Sequence, residues 1–149
     1  MISPATLFSL CSTIALVAWL ALALSLFVSR VRSWTWLVTG LAIPTVFAVV
    51  YLGSLVAGLA AGGGGGFGSI EDVRTLFAND HALTAGWIHY LAFDLIVGTL
   101  IARDGARLGL NPLFVLPSLV LTFLFGPTGL LLHLVIRASS GASFKEALS

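Results

Sequence analysis

Residues 82–101 read ALTAGWIHYLAFDLIVGTLI, twenty residues with one histidine and one aspartate set among apolar side chains. At about 1.5 Å per helical residue such a run crosses a hydrocarbon core of roughly 30 Å. Three comparable runs surround it, at about 5–28, 34–61 and 113–136. No alternating segments of about ten residues recur, as a membrane barrel would require. The expected fold is therefore all-α: a polytopic membrane protein with a bundle of four antiparallel transmembrane helices in one domain over residues 1–149.

Composition agrees. Of the 149 residues 58% are apolar and 9% charged, where a soluble domain carries about a quarter charged residues. A net charge of +1 builds no basic face and excludes nucleic acid as the main partner. The single cysteine, Cys11, lies inside an apolar run and supports neither a disulfide framework nor a thiolate metal cluster. The first run is read as a retained helix and not a secretory signal, because no basic residue precedes it and it is too long. An even number of spans puts both termini on one side. Arg30, Arg32, Arg103 and Arg107 then face one side, and Arg74, Arg137 and Lys145 the other. The positive-inside rule favours cytoplasmic short loops.

The connection 62–79 opens with five consecutive glycines and reads as a flexible tether. No Lys follows them at the spacing a phosphate loop needs. Ile70, Val73, Leu76 and Phe77 have the spacing of a short amphipathic surface helix over 69–77, and Asn79 or Asp80 is placed to cap the next helix.

An ionisable side chain at membrane depth is expensive unless paired, so His89 and Asp94 are the first site candidates. Five residues apart, they project about 140° from one another. Trp87, Tyr90, Asp94 and Gly98 share one stripe, with His89, Gly86 and Phe93 on a neighbouring face. In the fourth run Ser118, Thr122, Phe125, Gly129 and His133 form a small and polar face, the signature of a helix contact or cavity wall. Gly126-Pro127 predicts a kink that frees the carbonyl of Phe123. Counting from the 103–112 turn, Asp94 lies about 11 Å deep and Thr122 about 14 Å, which makes them partners. The same count puts His133 and His81 near 30 Å, at the opposite interface beside the glycines.

Each candidate also has a purely structural reading. Asp94 could serve helix packing, His89 and His133 could be core histidines, and His81 an interfacial loop residue. Trp19, Trp34, Trp36 and Trp87 read mostly as belt aromatics. Arg103, Asp104 and Arg107 read as an interfacial charged cluster, able to hold a polar headgroup. A metal site would need ligands gathered across helices, since no His-x-x-x-His or Glu-x-x-His pair occurs, and none is expected.

The run from Gly86 to Leu95, GWIHYLAFDL, followed by Arg103-Asp104 and then by LTFLFGPTGL from Leu121 to Leu130, resembles the neoxanthin-synthase-like family, the abscisic-acid-deficient-four-like small membrane proteins. The similarity covers about 79–137. It implies carotenoid or other isoprenoid chemistry of the kind that turns an epoxide end group into an allenic alcohol. The absence of a Ser- and Arg-rich leader suggests a bacterial-type member, in a bacterial inner membrane. Such an isomerisation needs an acid at the epoxide oxygen, a base at the neighbouring vinylic carbon, and no cofactor. The expected acid is Asp94 and the base His89, oriented by Tyr90 or Thr122. The substrate-binding walls are Trp87, Phe93, Phe123 and Phe125, with Ser118, Pro127 and His133 beside them. Rival readings are a non-catalytic carotenoid- or lipid-binding subunit of a larger complex or homo-oligomer, and a small transporter along His81, His133, His89 and Asp94.

Overall fold

The computed structural model describes residues 2–62 and 64–141; Lys145 and Gly63 lie outside them. Every regular element among the described residues is helical. Helix α1 covers Pro4–Phe27. The Ser3 hydroxyl caps it by accepting from the Thr6 N–H. A short turn at Ser29–Val31 leads into α2, Arg32–Leu37. The Arg32 guanidinium donates to the carbonyls of Ser25 (2.9 Å) and Leu26 (2.8 Å), satisfying acceptors that the end of α1 leaves open.

The chain continues through one wide π turn at Val38–Ala42 into α3, Ile43–Ala60. Pro44 explains the wide turn, because its ring crowds the carbonyl of Gly40 and it lacks the N–H that would close a normal turn. The expected second span is thus one apolar helix with a bulge, and Ser29–Ala60 is long and apolar enough to cross a membrane.

Helix α4, Ile70–Phe77, is the expected short amphipathic helix, with Ser69 accepting from the Asp72 N–H at 3.1 Å. The cap of α5, Asp80–Arg107, is Asn79, whose Oδ1 accepts from His81 N (2.9 Å) and Ala82 N (3.2 Å). This helix runs well past residue 101. Arg103, Asp104 and Arg107 therefore belong to its last turns and not to a loop.

Asn111 caps α6, Pro112–Phe125, through Leu113 N (3.0 Å), and α7 covers Pro127–Ser139. A single span over 113–136 was expected, but the helix ends at Phe125 and a second starts at Pro127. Three helical segments, Pro4–Phe27, Ser29–Ala60 and Asp80–Arg107, have the length and apolarity of membrane spans, while α6, with 14 residues or about 21 Å, is shorter than a hydrocarbon core.

The described residues fall into two compact units, one within residues 1–15 and 43–93, the other within residues 16–42 and 94–149. In the first, Cys11, Ala15, Phe47, Ile88, Leu91 and Ala92 form the core, bordered by Ile43, Val50, Tyr51 and Tyr90. In the second, Gly98 gives room to the Trp19 ring, which meets Phe123 with ring centroids 5.7 Å apart. Thr39 and Thr99 are both buried, their hydroxyls 2.7 Å apart. Large apolar side chains on the outside, such as Val17 and Val49, form a surface suited to lipid.

Candidate functional site

The second unit holds the strongest concentration of buried polar chemistry, and its framework is the turn between α6 and α7. Gly126 has φ +51° and ψ −105°, a conformation that side-chain-bearing residues avoid. Its N–H still closes α6 on the Thr122 carbonyl (2.9 Å), while its own carbonyl accepts from Gly129 N (3.1 Å) and begins α7. The expected kink is a full reversal. A Cβ on Gly129 would run into the backbone N and hydroxyl of Thr122 and the carbonyl of Ser118, which a continuous helix would hold more than 10 Å away at about 1.5 Å per residue. Helices α6 and α7 pack along one another as a hairpin, and only glycine at 129 lets their backbones come so close.

The tip of this hairpin faces Asp94. A Cβ on Gly126 would sit 3.2 Å from Asp94 Oδ1 and 3.4 Å from Oδ2. Asp94 is half-buried, near the midpoint of α5. Thr122, expected as its partner, donates to the Ser118 carbonyl at 2.8 Å within α6. Ser118 is fully buried, and its hydroxyl has no partner among the described residues.

At the open end of the hairpin lies a cluster that sequence reasoning did not assemble. His133 Nε2–H donates to Asp104 Oδ2 at 2.9 Å, and the Arg137 guanidinium donates to Asp104 Oδ1. His133 and Arg137 are 3% and 1% exposed in their side chains, Asp104 15%. Burying a charged pair is costly unless geometry and hydrogen bonds are good; here one carboxylate serves both cationic and imidazole donors. The sequence alone groups Asp104 with Arg103 and Arg107 as an interfacial cluster and marks Arg137 only as a loop charge. The available signal was His133-x-x-x-Arg137, two donors on one helical face. Depth counting along an unbroken span puts His133 at the far interface beside His81. The structure corrects this, because depth counting fails once the chain reverses at Gly126. His133 is bound near the C-terminal end of α5, whereas His81 lies in its first turn.

Of the other expected residues, Trp87, His89, Tyr90 and Phe93 belong to the first unit. Trp87 Nε1–H donates to the Ser12 hydroxyl at 2.9 Å, and its ring stacks on Tyr90 (5.5 Å) and lies against Phe8 (5.2 Å). It is thus hydrogen-bonded into a helix contact as well as aromatic. His89 is exposed on this unit and not a core histidine; its ring lies 4.5 Å from Phe93 and 5.8 Å from Tyr51, centroid to centroid. His89 and Tyr90 belong to the first unit, Asp94 and Thr122 to the second. In the second, Phe123 is packed on Trp19, while Phe125 and Pro127 at the hairpin tip are exposed. Among the described residues no three His, Cys, Asp or Glu side chains gather as a metal ion would require.

A family model described as ABA DEFICIENT 4-like matches residues 6–133, most of the chain. No curated protein and no solved structure matches.

Proposed function

Because the chain belongs to the ABA DEFICIENT 4-like family, a membership that suggests a carotenoid-related membrane protein, we propose that it isomerises a carotenoid or related isoprenoid within the membrane, with Asp94 as the acid. The observation that carries this reading is the Asp94 carboxyl lying against Gly126, where α6 breaks. Broken helices at membrane depth place polar backbone next to a ligand where a continuous helix offers none.

The reaction balances without an external oxidant or reductant. A base removes the proton from the vinylic carbon next to the epoxide, and that C–H electron pair becomes the second double bond of the allene. The epoxide C–O bond breaks, and the oxygen takes a proton from the acid. Asp94 supplies this proton to an oxygen seated at the hairpin tip, where Phe125 and Pro127 offer apolar surface to the end group. His89, held between Tyr51 and Phe93, belongs to the first unit, and its expected role as base is left to mutation.

The test is pigment analysis of a carotenoid-producing host with and without the protein, together with lipid extracted from the purified chain. A new isomer is expected. Asp94→Asn should lower its formation by about two orders of magnitude or more, as loss of a general acid does. An Asp94→Asn variant with full activity would refute the assignment, and an unaffected His89→Ala variant would remove His89 from the base role. A second reading, a carotenoid-binding subunit of a larger assembly, draws on the outward aromatic surface of Phe8, Trp87 and Phe93. Unchanged pigment retained by the protein would favour it.

A further inference from the structure

The α6–α7 hairpin has two attachments to α5, one at each end. Its tip meets Asp94 at Gly126, and its open end meets Asp104 through His133 and Arg137. Asp94 and Asp104 are ten residues apart, about 15 Å along α5. From Gly126, His133 is about 11 Å and Arg137 about 17 Å along α7, so the two spacings match. Helix α7 therefore runs in the same direction as the second half of α5, and α6 runs against it; Gly105 packing on Val115 fixes that antiparallel start. Because Asp94 sits near the middle of a helix that spans, the hairpin reaches to mid-membrane and returns.

We infer that α6 and α7 form a re-entrant hairpin that leaves the membrane on the side where it entered, and that Asp104, His133 and Arg137 are positioning residues that lock it in register so that Gly126 faces Asp94. The positioning role rests on the reading of Asp94 as the acid, whereas the hairpin topology does not. Charge supplies an independent argument. With three spans and a re-entrant hairpin, Arg30, Arg32, Arg103, Arg107 and Arg137 fall on one side, and Arg74 remains for the other. Four full spans would move Arg137 across and blur this asymmetry, which the positive-inside rule prefers sharp. The lock also accounts for a buried arginine: near a helix end Arg137 is tolerated because Asp104 neutralises it in place.

Two measurements on the full chain in sealed, uniformly oriented vesicles test this. With Cys11 replaced by alanine, single cysteines at Leu110→Cys and Ser140→Cys are treated with a membrane-impermeant maleimide. Labelling of both from the same side is expected, and labelling from opposite sides overturns the re-entrant hairpin. Hydrogen exchange over residues 112–139 is then compared in Asp104→Asn, Arg137→Gln and the double variant. Each single change removes one charge of the Asp104–Arg137 pair and keeps the other, and should speed exchange about tenfold in α7, while the double variant, a neutral hydrogen-bonding pair, returns toward the parent. A double variant as fast as the two single effects combined, or singles that leave the hairpin unchanged, overturns the lock. Turnover adds the positioning readout: kcat falls in the single variants with KM unchanged and recovers in the double. A parent protein that converts no pigment overturns Asp94 as the acid and the positioning role with it, while labelling and exchange still decide the hairpin.

Discussion

Gly126 and Gly129 are the residues on which the α6–α7 reversal depends, for different physical reasons. At Gly126 the constraint is backbone conformation, since φ +51° with ψ −105° is a region that a Cβ disfavours by about 1–3 kcal/mol. At Gly129 the constraint is space, because a methyl group would overlap the Thr122 backbone and push the two helices apart. Gly126→Ala should destabilise the protein by about 1–3 kcal/mol, and Gly129→Ala by a similar amount through overpacking, about 1–3 kcal/mol. Both are read by reversible unfolding in lipid–detergent bicelles. Gly126→Ala should also cut pigment turnover, because the added methyl would lie 3.2 Å from Asp94 Oδ1. A fully stable and active Gly126→Ala protein would show that the reversal at this residue is not required. The Gly-Pro pair marked this spot in sequence, but a kink and a reversal share that dipeptide, and only the packing of Gly129 on Thr122 distinguishes them.

Among the helices, α2 with its π turn, α5 and α6–α7 each show how polar side chains substitute for missing backbone partners in an apolar setting. The hydroxyls of Thr39 and Thr99, 2.7 Å apart, join the segment at the π turn to α5, and each also lies within reach of its own preceding carbonyl, that of Thr35 or Leu95. A hydroxyl has one proton, so one threonine donates across the contact and the other to its own helix. Because either residue retains its local carbonyl when the other is lost, the pair should contribute modestly. A Thr39→Val/Thr99→Val double-mutant cycle should give a coupling of about 0.6–1.7 kcal/mol in the stabilising direction, and a coupling of zero would show that the contact holds nothing. The helices themselves were legible from length, apolarity and caps: Asn79 and the amphipathic Ile70–Phe77 segment stand where their spacing predicted. The division of the last expected span was not, because hydropathy sums side chains along the chain and carries no information on where the chain turns back. The same loss explains Arg137, whose charge is visible in sequence while its carboxylate partner lies 33 positions away.

Across the whole molecule the outer surface is apolar on the long helices, with Val17 62% and Val49 69% exposed near the middle of their segments. Lipid is the solvent that such a surface requires, so Val17→Lys should disfavour insertion by about 2.5–3.5 kcal/mol, as scored by the inserted fraction in a translocation assay; undiminished insertion would show that this face is not in the hydrocarbon. Membrane residence, helical class and family followed from composition, run length and the GWIHYLAFDL and GPTGL elements, because these properties are local and additive along the chain. Asp94 stands out in the same way as a candidate, since a lone carboxylate in a twenty-residue apolar run is unusual whatever surrounds it. What faces Asp94, which residues close the far end of the hairpin, and where His133 lies depended on contacts between segments distant in sequence. Those contacts follow from one reversal at Gly126, whose backbone angles and close approach to Asp94 are properties of packing in three dimensions and have no counterpart in a count of residues.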